Sequence, residues 1–190
     1  MNAFVKFQVL NNLLQQGENT MDSEKLSPLD RVYRHYGDGI FLKEKQEQVL
    51  GTRMMKPLGG GIWASPVDSD VTWDVWCSNE HFHEDSLAHH FEFRLRPEAR
   101  IFVINNDDDF FEFIKKYPGR PTDTFEKKLY SSFDEPREVE CFPDYIKATK
   151  DYDGLEVNIS KDPRLYHLMY GWDVDSIVIW NYDIIEELTP

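Results

Sequence analysis

Three short segments hold residues able to do chemistry together. "RVYRHYG" (residues 31–37) ends a short β-prone run in Arg34 and His35. "GGGIWASP" (59–66) opens on three glycines and ends with Trp63 and the hydroxyl of Ser65. "WDVDSIVIWN" (172–181) sets two carboxylates, Asp173 and Asp175, before an apolar run. The first two segments are either ordinary sheet strands with turn glycines between them or two walls of a ligand cleft. Trp63, with Trp73 and Trp76 just downstream, could wall such a site by stacking.

Other chemistry is less well served. Cys77, His81, His83, His89 and His90 crowd together, but their spacing matches no zinc pattern, and adjacent histidines in a strand face opposite ways. Ser65 lacks the flanking glycines of a nucleophile elbow. Cys141 has acidic neighbours, which oppose a reactive thiolate. No Gly-x-Gly-x-x-Gly follows a strand and no Walker-type Gly-Lys-Ser/Thr occurs, so those nucleotide folds are not indicated. No metal is expected.

The segments need elements to hold them. Residues 2–16 carry apolar positions at helical spacing, stopped by Gly17, and residues 17–28 read as a polar linker. The body therefore starts near Leu29, with 1–28 as a helical extension. Strands are predicted at "RVYRHYG", "GIWAS", "HHFEFRLR", "ARIFVINN", "DGLEVNI" and "DSIVIWN". Residues 40–50 fit a helix or a loop. A helix is predicted after Asp68–Asp70, with Trp73, Trp76 and Cys77 on one face. Another follows Asp107–Asp109, where negative charge suits a helix N-terminus. Residues 118–143 read as loops with one helix at 124–130, and "PDYIKATKDY" reads as a helix with its proline in the first turn. If residues 173–179 form one strand, Asp173 and Asp175 share a face. The fold class is α+β, with a split, partly antiparallel sheet and interspersed helices.

The 190 residues carry a net charge of −14, concentrated in residues 131–190. Such a chain is a poor binder of nucleic-acid backbone and suits a small ligand or a basic protein partner. Two cysteines are too few for a disulfide framework, no secretory signal is visible and no segment has the length of a membrane span. A cytoplasmic location is expected.

The order of the three segments resembles the ADP-ribosyltransferase superfamily. Its first strand carries a His- or Arg-containing triplet, its second a Gly-aromatic-Ser/Thr, and a late strand is headed by a catalytic acid, often with "YDG" upstream, here 152–154. The resemblance covers roughly residues 30–66 and 150–181. It implies NAD as ligand, His35 or Arg34 holding the ribose, Ser65 as the second-strand hydroxyl, and Asp175 or Asp173 as the catalytic carboxylate. Trp63, Trp73 or Trp76 would flank the nicotinamide. The family norm is Glu at the acid position, so Asp is one methylene short. The implied activity is mono-ADP-ribosyl transfer to a protein or nucleic-acid acceptor. An NAD glycohydrolase, or a non-catalytic acidic protein blocking a basic partner surface, are the alternatives. Taken singly, each residue also has an ordinary role: His35 as a strand-end hydrogen-bonder, Ser65 and the aspartates as turn residues, the tryptophans as core.

Overall fold

A computed structural model describes residues 26–37, 39–129 and 137–188. The expected helix at 2–16 lies outside the described residues. The chain is α+β. Seven strands form one mixed sheet in the order β11-β5-β1-β4-β10-β9-β6. They are β1 (Tyr33–Tyr36), β4 (Ile62–Pro66), β5 (His90–Leu95), β6 (Ile101–Ile104), β9 (Gly154–Val157), β10 (Ser176–Ile179) and β11 (Ile185–Leu188). All neighbours run antiparallel except β6 and β9. Two small pairs stand apart, β2 (Gly51–Arg53) with β3 (Lys56–Leu58), and β7 (Pro118–Pro121) with β8 (Cys141–Pro143).

Strand alternation divides the core between the two faces of the sheet. On β10, Val178 joins one cluster while Ile177 and Ile179 join the other. The first cluster takes in α2 (Asp107–Lys116), whose Phe110, Phe113 and Ile114 recur at helical spacing. Asn106 caps that helix by accepting the Asp109 N–H at 3.0 Å. The second cluster packs Tyr33, Phe91 and Phe93 against Tyr182 and Ile184.

The remaining helices are short: α1 (Trp73–Glu80), α3 (Thr124–Leu129), α4 (Tyr145–Ala148) and α5 (Leu165–Leu168). Among the described residues no helix is long and apolar enough to cross a membrane.

Several expectations need correction. Residues 118–143 contain the β7–β8 pair besides the α3 helix. Pro143 ends β8 rather than opening α4, which is capped instead by Asp144 accepting the Lys147 N–H. Within 40–50 there is one 3-10 turn, Lys43–Lys45. The β2–β3 hairpin and β11 had no expected counterpart. Most relevant to the site, β10 begins at Ser176, so Asp173 and Asp175 precede the strand and have no shared strand face.

Three glycines carry the chain from the hairpin into β4. Gly60 adopts φ +46, and a Cβ there would lie 2.5 Å from the Glu47 carbonyl oxygen. At Gly61, φ is +109 and a Cβ would meet Val178 at 2.7 Å. Only glycine combines that backbone with that proximity.

Candidate functional site

β4 lies between β1 and β10, which brings the three sequence segments side by side. The strands β1 and β4 pair only at Tyr33↔Pro66 and Arg34↔Ser65. Beyond that point a cleft of about 680 Å³ opens, lined by Arg34, His35, Trp63, Ser65, Trp73 and Asp173 among others. That volume falls within the roughly 300–1,000 Å³ of ligand pockets.

His35 occupies the place where the β1–β4 ladder stops. Its Nδ1 lies 2.7 Å from the Trp63 carbonyl oxygen. A carbonyl only accepts, so Nδ1 bears the proton. Phe91 packs against the ring at 5.0 Å. Arg34 points to the other side of the strand. Its Nε and Nη2 donate to Glu92 Oε1 at 3.0 and 2.6 Å, and Nη1 reaches the Tyr36 hydroxyl at 3.4 Å. All these bonds sit at a half-exposed surface, so the guanidinium remains at the cleft wall.

Ser65 is buried, and its Oγ accepts the backbone N–H of Trp73 at 3.0 Å. It therefore anchors the first turn of α1 to β4, although no helix cap of the usual kind is present. Trp73 then stands in the cleft wall with Trp76 stacked behind it at 5.0 Å and 15°. Trp76 itself does not line the cleft. Trp63 packs on Trp172 at 4.6 Å.

The hairpin supplies the opposite wall. Its backbone is tied down: the Met55 carbonyl accepts from Trp172 Nε1 at 2.8 Å and from the Tyr145 hydroxyl at 2.6 Å. Arg53 and Lys56 project from this anchored hairpin into the cleft lining. The Lys56 ammonium lies 5.2 Å from the Trp63 ring centroid. Burial lowers its pKa, and the charge of nearby Asp173 resists that shift. So a chain with a large negative charge gathers Arg34, Arg53 and Lys56 around one cleft, where, among the described residues, Asp173 is the carboxylate in the lining and Glu92 pairs with Arg34 beside it. Against the Arg34 side of the cleft lies a smaller polar recess of about 260 Å³, with Ser69, Thr72 and Asp74 in its wall.

Asp175 is elsewhere. It is 2 % exposed and its carboxylate faces Ser69 and Ser160 rather than the cleft. Burial raises its pKa, against the pull of the bonds from those serines and the charge of Arg31. Of the two acids, Asp173 is the one that reaches the cleft. Among the described residues, no group of three or more His, Cys, Asp or Glu is placed to hold a metal ion.

Sequence reasoning missed Arg53, Lys56, Tyr36 and Trp172 as cleft residues. The hairpin turns at Met54, with φ +57, rather than at the Asn-Gly or Asp-Gly that signals a hairpin. Without that signal nothing local marked Lys56 as facing Trp63. Comparison of the chain with family models, with curated proteins and with solved structures gives no match.

Proposed function

We propose that the cleft binds NAD and that the protein transfers ADP-ribose from it, in the manner of the ADP-ribosyltransferase superfamily. One observation carries this reading. The His/Arg segment, the Gly-aromatic-Ser segment and the acid-headed segment come from three distant parts of the chain. They sit on adjacent elements, with Arg34, His35, Ser65 and Asp173 around one cleft.

The residues fit such a ligand. Arg34, Arg53 and Lys56 match a diphosphate in charge. Trp63 and Trp73 offer faces for aromatic rings. NAD supplies a ribose whose bond to nicotinamide can break, with the electron pair leaving on the ring nitrogen. Asp173 opposes the positive charge that builds on the sugar, charge present mainly in the transition state. Either His35, with its Nδ1–H bonded to the Trp63 carbonyl, or Arg34, on the other side of β1, holds the ribose. The acceptor, a protein or nucleic-acid group, bonds to the same sugar carbon and loses a proton. Where water takes that role, the product is free ADP-ribose.

The test is nicotinamide release by the purified chain, alone and with mixed macromolecular acceptors. Labelled macromolecule marks transfer, and free ADP-ribose marks hydrolysis. Asp173→Asn should lower the rate about 10²–10³-fold, the cost of removing one such electrostatic stabiliser. Calorimetry that finds no NAD binding overturns the reading. An unchanged rate in Asp173→Asn removes that residue from its role.

A further inference from the structure

Asp175 is not part of the cleft lining, yet it is tied to the elements around it. Its Oδ2 accepts from the Ser69 hydroxyl at 2.7 Å and the Ser160 hydroxyl at 2.6 Å. Its Oδ1 accepts the Ser160 backbone N–H at 2.9 Å. Its own backbone N–H donates to the Val71 carbonyl at 3.0 Å. The Ser69 hydroxyl in turn accepts the Val71 N–H at 3.0 Å. Ser69 and Val71 lie between β4 and α1, and Ser160 follows β9.

These bonds matter because the sheet does not place Asp173. The β10 ladder starts at Ser176, which pairs with Val157. Residues 173–175 have no ladder partner, so other contacts must set their position. Trp73 is in the same situation. It lies outside the sheet, held by Ser65 on one side and reached through Val71 from Asp175 on the other.

We propose that Asp175 is a positioning residue for the cleft: its carboxylate buckles the Ser69–Thr72 loop and Ser160 to the 173–175 segment, and so sets where Asp173 and Trp73 stand. A carboxylate at 2 % exposure is costly to bury unless its oxygens are bonded, and here they accept three hydrogen bonds. Those bonds join segments about 90 residues apart in sequence, Ser69 and Ser160, at one point beside the cleft. This assignment deepens the NAD reading and rests on it for its kinetic consequences, but its structural half can be tested without NAD.

The experiment compares the full chain with Asp175→Asn, Asp175→Ala, Ser160→Ala and Asp173→Asn. Two quantities are measured on each: amide exchange at Val71, Trp73 and Ser160, and the steady-state kinetics of nicotinamide release. Asparagine keeps an oxygen for the Ser160 N–H, and its amide can donate to the two hydroxyls once they rotate. Asp175→Asn should therefore keep the exchange protection and hold kcat within about tenfold of the parent chain, a modest loss for a residue that acts through others. Asp175→Ala should lose the protection at all three amides and raise KM about tenfold or more, with Ser160→Ala intermediate. Asp173→Asn should lose kcat with protection intact.

Two results overturn the proposal. One is Asp175→Asn that abolishes turnover with protection intact, which would put Asp175 itself at the reacting sugar. The other is Asp175→Ala or Ser160→Ala with unchanged exchange. Where Asp175→Ala does not fold, Asp175→Asn and Ser160→Ala decide. If the parent chain neither binds nor cleaves NAD, the NAD reading falls, and the exchange measurement alone judges Asp175.

Discussion

Arg31 and Arg34 stand three residues apart and lead opposite lives. Arg31 is 7 % exposed, and its guanidinium is spent on Asp68, Glu156 and Asn158. Glu156 also accepts from the Tyr33 hydroxyl and the Asn158 amide. This closed network joins β1 to β9 through side chains, because β4 and β10 lie between those strands. Arg34 has a single acid partner, Glu92, and the pair is about one-third exposed at the cleft. One cluster is largely buried and bonded within itself, with only Asp68 reaching solvent, while the other is half-exposed and opens on the cleft. Polar groups whose bonds are complete inside the protein hold the fold, while those at a water-filled wall can exchange water for a ligand.

The largest expected effect breaks the closed cluster. Glu156→Ala leaves the buried Arg31 without its 2.6 Å partner and the Tyr33 hydroxyl without its acceptor. It should cost about 3–5 kcal/mol in denaturant unfolding, because one Arg31 N–H, the Tyr33 hydroxyl and the Asn158 amide lose a buried acceptor at about 1–3 kcal/mol each, while Asp68 still pairs the Arg31 charge. A loss under about 1 kcal/mol, the scale of an exposed pair, would erase the contrast between the two arginines.

Next comes the wall between the clusters. Gly60→Ala forces a Cβ within 2.6 Å of the Gln48 carbonyl carbon at φ +46. It should destabilise by about 1–3 kcal/mol, measured by thermal or chemical melting. Because the three glycines aim Trp63 and Ser65, the same change should weaken ligand binding.

The smallest effect on stability belongs to the open cluster. Glu92→Gln removes the acid partner of Arg34 and should change unfolding by less than about 1 kcal/mol, as for exposed pairs. It leaves the guanidinium free to meet an anion, so NAD affinity measured by calorimetry should hold or rise. A large stability loss from Glu92→Gln would show that the cleft wall is as structural as the buried network. Asp173→Asn belongs to the same side of the contrast, with rate lost and melting unchanged.

The two clusters also differ in how far they were legible. Arg34, His35, Trp63 and Ser65 are marked by their neighbours: short β-prone runs with polar tips and a glycine turn. The Asp107–Asp109 helix start was readable for the same reason, because capping and charge at a helix end are local. Arg31, Tyr33 and Glu156 carry no such mark. Glu156 sits within the apolar "GLEV", and its partners Arg31 and Tyr33 lie more than 120 residues away. Burial of an acid is decided by what packs around it, which no window of sequence contains.

The aspartates make the same division finer. Their place ahead of an apolar run was visible in "WDVDSIVIWN". Their assignment was not, because it depends on where β10 begins. The ladder to β9 starts at Ser176 and that to β4 at Ile177, leaving Asp173 and Asp175 outside the sheet with no strand alternation to obey. There Ser69 and Ser160 draw Asp175 inward, while Asp173 turns to the cleft with Lys56 across from it.

By itself the sequence determined the α+β class, the main strands, the capped helix and three polar-tipped segments. These follow from periodicity, turn residues and helix-end chemistry, which act over a few neighbours. Only the tertiary structure decided that β4 stands between β1 and β10, that an anchored hairpin brings Lys56 to the cleft, and which acid faces it. Those outcomes depend on strand order and on hydrogen bonds between residues tens to more than a hundred positions apart, where local pattern has no hold.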